Sequence, residues 1–219
     1  MTIDIYFFPP SPPCRAVMML GRYIGVHFNV KTVNVLKGDQ FKPSFKKLNP
    51  QHTIPTIEDN GFVLWESRSI MVYLVMKYAK NDSLYPKDPE KRGLVEQRLY
   101  FDMGTLFHNI GSYYGPVLLG LADQPPEQLL EPLERSFSVL DIYLQDSDFL
   151  VGNDLTVADF AIVSSVCTAK AVGFDIGRYD NVAQWYERCK SAMSKCGFED
   201  VNEAGANIFG GFYKANLKS

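Results

Sequence analysis

The chain has 219 residues, 46% hydrophobic and 21% charged, which is enough for a sizeable core in one large or two small soluble domains. Its formal net charge of −3 gives no bulk attraction to nucleic acid or an anionic membrane, and no apolar run approaches the roughly 20 residues of a membrane span. Four scattered cysteines (Cys14, Cys167, Cys189, Cys196) form no CxxC and no zinc spacing with histidine, so they read as reduced thiols of a metal-free cytoplasmic protein.

The N-terminus opens on a strand, Ile3–Phe7, without the basic and apolar regions of a signal peptide. Pro12–Tyr23 predicts a helix, with proline tolerated in its first turn, and Phe28–Val35 a second strand. Pro55 cannot donate to a sheet ladder, so it suits a turn or an edge, and an X-Pro bond there can be cis. Asp59-Asn60-Gly61 is a hairpin turn between strands at Pro55–Ile57 and Phe62–Trp65. A helix over Ser67–Ala79 follows, so the order β-α-β-loop-β-β-α predicts a small mixed sheet with helices packed on it.

Asn81–Pro89 is polar and proline-bearing, and reads as a linker. Beyond it the periodicity is helical. Asp88 caps ahead of Pro89, and Val95, Leu99, Leu106 and Ile110 follow at helical spacing. Further helices carry Leu129, Leu133, Phe137, Leu140 and Leu144, then Val182, Trp185, Tyr186, Cys189 and Met193. Between them Thr156-Val157-Ala158-Asp159 resembles a capping box with Leu155 and Phe160 as its hydrophobic staple. About five helices over residues 88–219 are expected, with no repeat or low-complexity segment.

The chemistry concentrates in Asn49-Pro50-Gln51-His52-Thr53-Ile54-Pro55-Thr56 and Glu66-Ser67-Arg68-Ser69. A loop held by Pro55 exposes backbone N–H and C=O groups. Ser67 at a helix start is an anion site, and Glu66 beside it suits an ammonium. Together they read as a cradle for an amino-acid head group.

These segments, with Ser11-Pro12-Pro13-Cys14-Arg15-Ala16, Asp59-Asn60-Gly61-Phe62, Gln97–Leu106 and Leu155–Asp159, resemble the cytosolic glutathione S-transferases over the whole chain. Within that family the arthropod delta class is most similar, with the epsilon class second. The resemblance implies an α/β thioredoxin-like N-terminal domain over 1–80, a linker over 81–87 and an all-α C-terminal domain over 88–219. It implies conjugation of the glutathione thiolate to hydrophobic electrophiles in detoxification, a homodimer, and glutathione as co-substrate with no cofactor. Ser11 would hold the thiolate. Glu66 and Ser67 would bind the γ-glutamyl group, Ile54 with a cis Pro55 the cysteinyl backbone, and Thr53 would be a further glutathione contact. Gln51 and His52 would reach the glycyl end, with Arg68 nearby. Gln40 stands where many delta members have histidine, so weaker glycyl binding is expected, and Pro10 replaces the commoner glycine before the serine. The electrophile pocket would take Pro12, Phe107, Tyr113, Tyr114, Phe209 and Phe212, and Tyr73, Tyr78, Arg98 and Phe101 are the dimer candidates.

Each reading has a plainer rival. Ser11 is also a natural helix cap, His52 a surface residue, and His108 a structural one. Asp159 reads as a cap, and Asp102 as a cap or a partner of Arg68 across the lobes. Cys14 at a helix start reads as buried, or as a thioltransferase nucleophile if its pKa is lowered. A non-catalytic carrier of hydrophobic ligands and a glutathione-dependent peroxidase or thioltransferase are the competing functions.

Overall fold

A computed structural model describes residues 2–218; the domain ends expected at 1 and 219 lie outside them. Strands β1 (Thr2–Phe7), β2 (His27–Thr32), β3 (Thr56–Asp59) and β4 (Phe62–Trp65) form one sheet in the order β2-β1-β3-β4. β1 and β2 are parallel, joined by the crossover helix α1 (Pro12–Tyr23), while β3 runs antiparallel to both of its neighbours. Buried Ile3, Ile5 and Ile57 share one core with Val17 and Leu20 of α1 and with Ile70 and Leu74 of α3 (Ser67–Tyr78). The short α2 (Pro43–Leu48) lies in the β2–β3 connection.

β2 stops at Thr32, short of the expected Val35. The Asn34 side chain accepts from the N–H groups of Leu36 and Lys37 and turns the chain into a 3₁₀ turn over Val35–Lys37. The hairpin is as expected, with Asn60 (φ 52°) and Gly61 (φ 85°) both in the left-handed region of a type I′ turn. Pro55 sits just before β3, where no ladder donor is needed. The polar connection after α3 is bound down by the helical lobe. Leu84 and Tyr85 are buried, the Leu84 carbonyl accepts from Val157 N at 2.9 Å, and the Arg92 guanidinium lies 4.6 Å from the Tyr85 ring centre.

The second lobe has six α-helices among the described residues: α4 (Pro89–Phe101), α5 (Phe107–Leu118), α6 (Leu130–Tyr143), α7 (Val157–Ala171), α8 (Asp180–Ala192) and α9 (Ala204–Asn216). The run Val95 to Ile110 is not one regular helix, because a π turn over Asp102–Leu106 separates α4 from α5. α7 is the central helix, buried from Val157 to Ala169. Its capping box is present, with the Thr156 N–H and hydroxyl donating to Asp159 Oδ2 at 2.8 and 3.0 Å. Asp159 also accepts from Leu150 N (3.0 Å) and Trp185 Nε1 (2.9 Å), so it joins α7 to α8 and the preceding loop as well as capping. No helix among the described residues is long and apolar enough to cross a membrane.

Candidate active site

The sheet register gathers the site. Thr56 pairs with Tyr6 on β1 and with Trp65 on β4. The end of β1, the start of β3 and the end of β4 therefore lie side by side. The segments leaving them carry Ser11, Ile54-Pro55 and Glu66-Ser67. Sites at strand ends of this kind are built from loops that the sheet holds rigid.

Ser11 is the N-cap of α1, with its N–H on Phe8 O (3.0 Å) and its carbonyl accepting from Arg15 N (3.1 Å). Its half-exposed side chain makes no capping bond to the helix. Pro12 and Pro13 remove the N–H groups of the first two helical positions, so the Ser11 hydroxyl is the main donor offered at that end. Cys14 is fully buried, and burial pushes its thiol up to about 11, with Ser11 and Arg15 only partly opposing.

The cleft beside this edge has a volume of about 490 Å³. One wall carries Thr53, Ile54, Pro55, Glu66, Ser67 and Arg68, and the Ile54–Pro55 bond is cis. Asn49, fully buried, holds the wall together. Its Nδ2 donates to Thr53 O (3.0 Å) and Thr56 Oγ1 (3.0 Å), and its Oδ1 accepts from Gln51 N (2.9 Å). Glu66 turns the chain into α3 with φ 70°, a conformation that costs a non-glycine residue on the order of 1–3 kcal/mol and is typical of functional sites. Arg68 crosses the lobes. It donates to Ser67 Oγ (2.9 Å) and to buried Asp102, whose other oxygen accepts from Ser165 Oγ (2.8 Å), and it stacks 5.3 Å from the Phe107 ring centre.

The opposite wall comes from the π turn and α5: Met103, Phe107, His108, Gly111 and Ser112, with Pro13 from α1. A five-residue π turn shifts the helical register. Phe107, His108, Gly111 and Ser112 then face the cleft, whereas Ile110, Tyr114 and Val117 face the core.

A second groove between α3 and α4, sharing Glu66, Arg68 and Met103 with the cleft, has a volume of about 620 Å³ and is also lined by Val72, Tyr73, Met76, Leu99 and Tyr100. Met76 is 71% exposed and Tyr100 65%.

Two family models match, the glutathione S-transferase N-terminal domain over residues 10–75 and its C-terminal domain over 118–192. A delta-class glutathione transferase of Nilaparvata lugens is 47% identical with a TM-score of 0.93, over 98% of this chain and 100% of that one. The chain belongs to the glutathione S-transferase family. An epsilon-class glutathione S-transferase of the housefly Musca domestica is 34% identical (TM-score 0.92; 99% and 100% covered). A glutathione transferase homologue of Drosophila mojavensis, solved with bound glutathione, is 32% identical (TM-score 0.90; 99% and 98% covered).

In this glutathione S-transferase the expected residues fall into distinct places. Thr53, Ile54, Pro55, Glu66, Ser67, Arg68 and Phe107 line one cleft, whereas Ser11 is outside that lining, two residues before Pro13, which belongs to it. Gln51 and His52 lie outside the lining, on the exposed rim, with Gln51 Oε1 accepting from Trp65 Nε1 and the His52 ring 5.1 Å from that of Phe41. Gln40 is turned onto its own loop, donating to Val35 O at 3.3 Å. Pro12 is buried, and the proline facing the cleft is its neighbour Pro13. Tyr113, Tyr114, Phe209 and Phe212 are absent from the lining. Tyr114 packs edge-on between Tyr113 and Tyr213 where α5 meets α9, and Phe209 packs on the core. Of the dimer candidates only Tyr73 lines the α3–α4 groove. Tyr78 is bonded to Asp59, and Arg98 and Phe101 pack on Tyr143 inside their own lobe. His108, read as structural, is exposed and lines the cleft, as does Ser112. Their spacing from Phe107 is the signal for them, and the irregular turn before α5 obscures it.

Proposed function

We propose that this protein conjugates glutathione to hydrophobic electrophiles, with Ser11 holding the sulfur as a thiolate. The reading is supported by the register that sets the end of β1, from which the chain leads to Ser11, beside the start of β3 after Ile54-Pro55 and the end of β4 before Glu66-Ser67. Glu66 then meets the γ-glutamyl ammonium, Ser67 and the α3 N-terminus its carboxylate, and the Ile54 backbone the cysteinyl unit. A free thiol titrates near about 8.5, so about 2 units of lowering need roughly 2.7 kcal/mol of preference for the anion. One hydrogen bond to a charged acceptor contributes about 1.5–3 kcal/mol, and a helix N-terminus adds up to about 2. The Ser11 hydroxyl and α1 together meet that need without a metal. The thiolate then attacks an electrophilic carbon in the cleft.

Gln51, His52 and Gln40 form the glycyl end of the site. Gln40 offers no charge there and is engaged with Val35 O, so glutathione is held chiefly through its γ-glutamyl and cysteinyl parts. Two copies associate through the α3–α4 groove, whose exposed Met76 and Tyr100 supply apolar area. Four free buried cysteines suit the reducing cytoplasm. A thioltransferase using Cys14 is disfavoured, because a buried thiol raised to about 11 is neither ionised nor accessible. The test is glutathione-dependent turnover of chlorodinitrobenzene by wild type, Ser11→Ala and Cys14→Ser. Loss in Ser11→Ala and retention in Cys14→Ser are expected; the reverse pattern contradicts the assignment.

A further inference from the structure

Ser11 and the cradle leave a polar pair in the cleft without a role. His108 and Ser112 share the cavity with Ser67 and Arg68, in a wall otherwise made apolar by Met103 and Phe107. His108 is exposed, and its Nε2 lies 3.5 Å from Ser112 Oγ one helical turn on. The other histidines are placed elsewhere, His27 on β2 and His52 against Phe41. The proposed cradle already takes the γ-glutamyl and cysteinyl parts of the tripeptide through Glu66, Ser67 and the loop backbone, with the glycyl end toward Gln51 and His52. A donor on the α5 wall therefore faces whatever fills the rest of the cleft.

We propose that His108, steadied by Ser112, hydrogen-bonds an acceptor oxygen conjugated to the reactive carbon of the electrophile. α,β-Unsaturated aldehydes and ketones are then favoured over alkyl halides. This rests on the conjugation reading above. In the addition the sulfur–β-carbon bond forms, and the carbon–carbon π pair moves through the α-carbon onto the carbonyl oxygen as an enolate. The His108 N–H donates a hydrogen bond to that oxyanion, and water then protonates the enolate at the α-carbon to give the saturated carbonyl compound. The proton taken up from water balances the one released when the thiol ionised, and the imidazole is unchanged. An alkyl halide instead expels halide and develops no carbonyl oxyanion, so His108 gains nothing in its transition state.

The experiment compares kcat/KM for benzylideneacetone and for iodohexane, with saturating glutathione, in wild type, His108→Leu and His108→Gln. His108→Leu should lower the enone value about tenfold and leave iodohexane within about twofold, since a donor at a partly solvated wall is worth less than a buried oxyanion-hole donor. His108→Gln, which keeps an N–H, should recover most of the loss. Iodohexane turnover in the variants reports that the fold and the thiolate are intact. Equal losses on both substrates, or no loss on the enone, overturn the role of His108 alone. Turnover of neither substrate by wild type overturns the conjugation reading beneath it.

Discussion

Asn49 bonds three points of the loop that walls the cleft, from a position with no exposure of its own. Asn49→Leu leaves Gln51 N and Thr56 Oγ1 without that partner, a cost of about 2 kcal/mol. A urea melt should show the loss of stability, and KM for glutathione should rise more than kcat falls. Asp59 shows the same logic at the hairpin. Burial alone would raise its carboxyl, but Lys77, Tyr73 and Tyr78 all donate to Oδ2 and hold it at about 2. A depressed carboxylate contributes stability that is present above its unfolded pKa of about 3.9 and is lost as pH falls toward 2. Wild type should lose stability across that window, and Asp59→Asn should show a flatter profile from a lower starting point. Glu66 and Ser67 at the start of a helix were legible from residue type and neighbours, whereas Ser11 was singled out only by the resemblance of several motifs together. The Asn49 role was not, because it depends on where the loop folds back.

At the scale of elements, α9 is built against the Pro9–Ser11 loop. A Cβ placed on Gly205 would lie 2.3 Å from the Pro9 carbonyl oxygen, and Arg15 of α1 donates to Asn202 O (2.8 Å) just before that helix. Gly205→Ala should therefore push the Pro9–Ser11 loop out of place. Turnover should fall several-fold with little change in the far-UV circular dichroism, and Gly211→Ala, which meets nothing within 4 Å, serves as the neutral control. Strands, hairpin and capping box follow local rules and were readable in advance. The π turn was not. Val95, Leu99, Leu106 and Ile110 keep a helical spacing straight through it, and Tyr114, expected in the pocket, packs on Tyr213 of α9. The Gly-rich α9 also carries a weak helical signal, since glycine is a poor helix former.

At the scale of the molecule, the two lobes are tied by the Arg68–Asp102 ion pair, Asp102 being wholly buried and shared with Ser165 of α7. The order of motifs along the chain made this architecture legible. The outward face of α4 was not, because Arg98 and Phe101 pack on Tyr143 inside their own lobe while Tyr100, with Met76 of α3, remains exposed. If that groove joins two copies, Met76→Glu with Tyr100→Glu should convert a dimer to a monomer by sedimentation while the wild type stays dimeric. The central claim, that Ser11 holds the thiolate, is tested most directly by titrating the ultraviolet thiolate absorbance of enzyme-bound glutathione. Wild type should titrate about 2 units below a free thiol, and Ser11→Ala should return by at least about one unit. Identical titrations in the two proteins would contradict it.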